Sequence, residues 1–200
     1  FGKTTGETFF ELIQRLNDVE GIERYRISSI EPNLLTEEMI DWITSGSKFL
    51  PHYHIPLQSG CDTILKEMGR RYDTAAFAHK IQYIRDKSEI PGGPKVFFGI
   101  DVIVGFPGET DADFDVTSNF LDSLDLLSFH IFSYSKRPGT IAAEMPDQVP
   151  TEIKSSREKL LAELRDRMSA RVLDSYICKE LDVMIEEYKD TVGAIGHSAN

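Results

Sequence analysis

Val96-Phe97-Phe98-Gly99-Ile100-Asp101-Val102-Ile103-Val104 runs directly into Gly105-Phe106-Pro107-Gly108-Glu109-Thr110. The first stretch is apolar on nearly every position, which fits a strand buried on both faces of a parallel sheet. The second is a glycine- and proline-rich break. A helix carrying Phe114, Phe120, Leu121 and Leu124 is expected after it. Apolar strand, tight turn and amphipathic helix together make the unit from which α/β folds are built.

The same unit recurs on both sides. Upstream, Phe9, Leu12, Ile13, Leu16 and Val19 share a helical face, and Tyr25–Pro32 reads as a short strand stopped by proline. Thr36 is placed as the N-cap of a helix with Glu37 and Glu38 in its first turn and Met39, Ile40 and Ile43 on its apolar side. His52–Gln58 is a second strand, whose proline suits an edge, a bulge or a strand end. Helices near Asp62–Met68 and from about Asp73 follow, the latter with Phe77, Ile81 and Ile84 at helical spacing. Downstream, Leu127–Tyr134 is the fourth strand and ends in Ser135-Lys136-Arg137-Pro138-Gly139-Thr140. Four strand–helix units predict a parallel sheet, open or curled into part of a (β/α) barrel. From Pro150 to about Tyr176 a long charged helix is expected, with Leu160, Leu161, Leu164, Met168 and Leu173 inward, then a strand-like Leu181–Ile185. The tail is too short for a core of its own and reads as the opening of a second domain.

Composition narrows the class. Thirty-three acidic against 22 basic residues give a net charge of −11, which disfavours non-specific nucleic-acid binding while leaving room for a local basic patch. No apolar run is long enough to span a membrane and no signal segment opens the chain, so a cytoplasmic protein is expected. Cys61 and Cys178 stand far apart in sequence, which excludes a CxxC-type ligand pair or a disulfide framework.

Chemistry in parallel α/β folds collects at the carboxyl ends of the strands. Those ends here carry Ser28, Ser29 and Glu31; Gln58 and Ser59; Asp101 and the Gly105–Glu109 turn; and Ser133, Ser135, Lys136 and Arg137. The glycine turn leads into a helix N-terminus that could favour an anion, and Lys66, Arg70 and Arg71 form a basic group. His52 and His54 share a strand face, but no third ligand lies at a suitable spacing, so no metal site is expected. Trp42 reads as packing and Cys61 as a loop residue.

Four blocks then carry a resemblance: Arg26–Pro32, His54-Ile55-Pro56-Leu57-Gln58-Ser59-Gly60, Asp101–Thr110 and Tyr134–Thr140. In this order they resemble the radical S-adenosylmethionine methylthiotransferases over nearly the whole chain. The first and fourth blocks look most like the subgroup acting on N6-threonylcarbamoyladenosine beside the tRNA anticodon. The resemblance implies strands three to six of a radical SAM (β/α)6 barrel, a partial TIM-type barrel over residues 1–150. A connecting helix over 151–176 and the truncated start of a tRNA-gripping TRAM-like domain over 177–200 would complete the chain. It also implies a set of S-adenosylmethionine contacts. Gln58 would hold the ribose, Arg70 the methionyl carboxylate, Asp101 or Glu31 the ammonium, and Ile103, Val104, Gly105 and Phe132 the adenine, with Ser59 a further cofactor-binding residue.

The family cleaves S-adenosylmethionine to a 5′-deoxyadenosyl radical on a 4Fe-4S cluster held by CxxxCxxC, and a second 4Fe-4S cluster supplies sulfur. Neither motif occurs in these 200 residues. Cys61 stands where the family commonly has serine. The expectation is therefore an inactive fragment, holding no cofactor and no catalytic residue of its own, from a parent that uses S-adenosylmethionine, two clusters and tRNA. Its open sheet edge would favour self-association. A phosphate-handling barrel using Arg70 and Gly105–Gly108, and a non-catalytic RNA-binding module, are the readings from other classes. Within the family, another tRNA adenosine or a ribosomal-protein aspartate is the alternative target.

Overall fold

A computed structural model describes residues 4–89, 95–189 and 193–198. The parts of the expected domains at 1–3, 90–94, 190–192 and 199–200 lie outside the described residues. Helix α1 (Phe9–Asn17) is opened by a Thr8 and Glu11 capping box. Strand β1 (Tyr25–Ile27) leads to α2 (Glu37–Thr44), capped by Thr36 as expected, and then to β2 (Phe49–His54). Helices α3 (Asp62–Glu67) and α4 (Thr74–Ser88) precede β3 (Phe97–Gly99) and β4 (Asp101–Val104). Helix α5 (Asp111–Ser123), β5 (His130–Ser133), the short α6 (Ile141–Glu144) and the long α7 (Thr151–Asp174) complete the body. An antiparallel hairpin, β6 (Val183–Lys189) and β7 (Gly193–Ser198), extends the strand-like tail.

The long apolar stretch is split. Its first half, β3, pairs in parallel with β2, and β2 with β1. Its second half, β4, pairs in parallel with β5, from Asp101↔His130 to Val104↔Ser133. Pro56 lacks a backbone N–H, so the β2 ladder lapses after His54 and returns as a single bridge, Gln58↔Val102. The chain thus forms a partial parallel (β/α) arrangement, and the described strands do not close into a barrel.

Phe98, Ile100, Val102 and Val104 are buried on one face of this central stretch, packed with Ile40 of α2, Phe77 and Ile81 of α4 and Leu121 of α5. Helix α7 belongs to the same core through Leu161, Leu164 and Met168. Its inward face differs from the expected one: Leu160 and Leu173 are exposed, whereas Arg157 and Val172 are buried. Trp42 packs edge-on against Phe10, in keeping with a packing role. No helix among the described residues is long and apolar enough to cross a membrane.

Candidate functional site

The other face of the central stretch carries Gly99, Asp101 and Ile103, because side chains alternate along a strand. Here the strand ends converge on an open cleft of about 610 Å³, lined by Gln58, Arg70, Asp101, Ile103, Phe132 and Tyr134 among others. Gln58 adopts a left-handed backbone, with φ of 70°. Its N–H donates to the Asp101 carbonyl and its own carbonyl accepts from Ile103 N–H, both at 2.8 Å. The turn is therefore stitched to β4, which holds Gln58 at the rim of the cleft. Phe132 of β5 is 51% exposed, an aromatic face open to a flat ligand.

Arg70 follows α3, and its Nη1 donates to Glu31 at 2.8 Å. Glu31 thus reaches the cleft through Arg70; with Ser28 and Ser29 it lines a separate apolar groove beside α1 and α2. Arg70 Nε and Tyr134 Oη are both buried without a hydrogen-bond partner. Both residues also line the cleft, so spare hydrogen-bonding capacity lies beside it.

Several predicted residues lie elsewhere. Ser59 is buried and turned from the cleft toward α5, with its Oγ 3.3 Å from Thr117 Oγ1 and accepting from Cys61 N–H. Val104 is buried in the core and offers the site only its backbone, whose carbonyl accepts from Tyr134 N–H at 2.9 Å. The Gly105–Thr110 turn is occupied by the protein itself. Gly105 sits at φ of 73°, and a Cβ there would collide with Lys154 Cγ. Its N–H donates to the buried Glu109 carboxylate. Burial pushes the Glu109 carboxyl above its usual range, partly offset by that N–H and by Arg157. The N-terminus of α5 is likewise filled, since Asp113 and Thr110 form a capping box. Burial pushes Asp113 up, but the Thr110 hydroxyl and N–H, the Cys61 thiol and Arg157 outweigh it and leave the carboxyl lowered. This turn leaves no open anion cradle for a phosphate-handling reading.

Sequence reasoning missed Lys154, Arg157 and Tyr134 as parts of the site. Lys154 Nζ donates to the Tyr134 carbonyl at 3.0 Å, and Arg157 pairs with Glu109 and Asp111 at 3.5 and 2.8 Å. For Lys154 and Arg157 the available signal was the set of charges near the start of α7, which reads equally well as a solvated face, and for Tyr134 it was its place at the end of the fourth strand. The histidine pair also separates: His52 stacks on Phe97 at 4.5 Å, whereas His54 lies 3.0 Å from Asp101.

The Radical SAM superfamily profile matches residues 3–121 of the chain. Threonylcarbamoyladenosine tRNA methylthiotransferase MtaB of Bacillus subtilis is 40% identical over 185 residues, covering 92% of this chain and 40% of that protein. The tRNA-2-methylthio-N(6)-dimethylallyladenosine synthase of Acetivibrio thermocellus is 36% identical, covering 96% of this chain and 39% of that protein. The chain therefore spans about 40% of the length of these curated relatives. Among solved structures, the coproporphyrinogen III oxidase HemN of Escherichia coli superposes with a TM-score of 0.58 at 15% identity, over 82% of this chain and 36% of that one. At that identity the likeness speaks for the fold alone. Profile and relatives agree, and the chain belongs to the radical SAM superfamily, within its methylthiotransferase family.

Proposed function

We propose that the chain supplies the S-adenosylmethionine-binding wall of a tRNA methylthiotransferase whose target is carbon 2 of N6-threonylcarbamoyladenosine beside the anticodon. The observation that carries the reading is the pair of partnerless buried groups, Arg70 Nε and Tyr134 Oη, on a cleft that also presents Gln58 and Phe132. S-adenosylmethionine brings a carboxylate, ribose hydroxyls and an adenine ring, and this donor set fits them. Bound on an iron–sulfur cluster, it supplies radical chemistry that activates an otherwise inert C–H bond.

The chain's own residues bind and orient. Arg70 holds the carboxylate through its guanidinium while Glu31, on Nη1, fixes the guanidinium plane. Gln58 meets the ribose hydroxyls, since its amide both donates and accepts. Ile103 and Phe132 cover the adenine, and the β4 backbone from Ile103 to Gly105 forms the rim beneath it. Asp101 faces the ammonium side of the cleft. Iron–sulfur clusters do not fit these residues: the chain has two cysteines, Cys61 buried and Cys178 exposed, too few for a cluster site. The chain alone is accordingly inactive and binds S-adenosylmethionine weakly, and cluster ligands come from outside these 200 residues. TRAM-like tRNA contacts through β6 and β7, and action in the cytoplasm, belong to the same proposal.

Calorimetry of the chain with S-adenosylmethionine tests it: weak binding is expected, lowered about tenfold or more by Arg70→Met, which removes a charged hydrogen bond. Binding indifferent to Arg70 overturns the wall assignment. Mass spectrometry of tRNA nucleosides from a reconstituted whole protein tests the target, and a methylthio group on threonylcarbamoyladenosine is the expected product. The dimethylallyladenosine synthase relatives favour that nucleoside as the second reading.

A further inference from the structure

The S-adenosylmethionine reading uses Asp101 of the cleft but gives no role to the two histidines that meet the same carboxylate on this sheet face. His54 closes β2 opposite Gly99, and two residues on, Asp101 opens β4 opposite His130 of β5. Gly99 lies beside the imidazole, where a Cβ would stand 3.4 Å from His54 Cγ, at van der Waals contact. Asp101 Oδ1 lies 3.0 Å from His54 Nε2 and 3.0 Å from His130 Nδ1, and the two rings meet edge-to-face at 5.6 Å. One donor atom from each of the three residues lies within 4.8 Å of the other two. Ser29 Oγ is 3.3 Å from the remaining nitrogen of His54.

We propose that His54, Asp101 and His130 form a binding site for a divalent first-row transition-metal cation. Two imidazoles and one carboxylate are the donor set such ions prefer over magnesium or calcium. Bonds of about 2.1 Å place neighbouring ligands of an octahedral ion about 3.0 Å apart, the separation of Asp101 from each histidine. His130 is the open side, with its side chain 59% exposed against 26% for His54 and 18% for Asp101, so water can complete the sphere there. Ser29 is the orienting partner. In the metal-free protein each imidazole N–H facing Asp101 donates to its carboxylate. On binding, His54 carries its proton on Nδ1 instead, where Ser29 Oγ accepts it, and His130 carries its proton on Nε2.

The test uses the chain with Cys178→Ser, which removes the exposed thiol, titrated with zinc(II) by calorimetry and with cobalt(II) by visible absorption. No S-adenosylmethionine is present, so the outcome is independent of the cofactor reading. The expected result is one equivalent bound, with cobalt d–d bands and no thiolate charge-transfer band. Asp101→Asn and His130→Gln each weaken binding about tenfold or more, Ser29→Ala weakens it less, and His79→Gln and His197→Gln leave it unchanged. Circular dichroism checks each fold. Because the His130 side chain is largely exposed, His130→Gln keeps the test decisive if Asp101→Asn unfolds. Absence of binding, or binding unaltered in folded His130→Gln, overturns the site.

Discussion

The Gly105–Thr110 turn and the Arg70–Tyr134 wall sit at the ends of the same strands and are built on opposite principles. In the turn, the backbone and carboxylate groups are answered from within: Gly105 N–H by Glu109, Gly108 N–H by the Asp147 carbonyl at 3.0 Å, and Glu109 by Arg157, whose Nε alone stays buried without a partner. On the wall, Arg70 Nε and Tyr134 Oη are buried with no partner, and Phe132 stands half in solvent. A glycine-rich turn after a buried strand looks like a ligand cradle in sequence, yet this one spends its hydrogen bonds on holding itself and α7. Capacity for a ligand lies where residues with unanswered donors also border an open cleft, as Arg70 and Tyr134 do and Arg157 does not.

The contrast breaks most visibly at its two arginines. Arg157→Met leaves the Glu109 carboxylate buried without its cation, and a loss of about 3–5 kcal/mol in denaturant unfolding is expected. Arg70→Met should cost about 1 kcal/mol or less, because its partner Glu31 has a side chain 43% exposed. Equal losses would erase the distinction between a structural and a binding arginine. Gly105→Ala comes next: the left-handed backbone alone costs about 1–2 kcal/mol, and the new methyl displaces Lys154. Adding Lys154→Ala should recover the crowding part of the loss and leave the backbone part.

The carboxyls sharpen the comparison through pH. Glu109 titrates above its usual value near 4.5 when folded, so the unfolded chain gives up this proton first. Its contribution to stability is greatest below that usual value and falls as pH rises through the raised one. Asp113 is lowered from about 3.8, so its contribution is complete above that value and is lost as pH falls through the depressed one. Stability measured across acid pH should therefore lose its decline toward neutrality in Glu109→Gln and part of its acid decline in Asp113→Asn. The smallest stability effect is expected for Phe132→Ala, within about 0.5 kcal/mol for a residue half in solvent. That variant should still weaken S-adenosylmethionine binding several-fold in the same calorimetry.

Much of the fold was legible because its signals are local. Apolar periodicity located the helices, Thr36 and the acids after it marked the start of α2, and the apolar run at 96–104 marked the central strand. The split of that run at Ile100 was not legible, since it depends on β2 losing its ladder at Pro56, forty residues or so earlier. Helix α6 is too short to show a period. Gln58, Arg70, Asp101, Ile103 and Phe132 do meet at one cleft, as the strand-end rule suggests. Ser59 and Val104 point away because alternation and turn geometry decide side by side which neighbour faces out. Arg157 and the His54–Asp101–His130 cluster were hidden for one reason: their partners lie on other strands or helices, and only pairing register brings them together.

Helix α7 makes the boundary near residue 150 an unusual place to divide the molecule. Its first turns clamp the Gly105 turn and its middle fills the core, whereas the hairpin beyond it touches the body through contacts such as Arg26 Nη2 to the Ser198 carbonyl. A protease nick in the exposed stretch between Lys179 and Asp182 should release the hairpin and spare the fold. Ending the chain at Pro150 would instead strip the lining from one side of the sheet, and aggregation rather than a smaller soluble body is the outcome to expect.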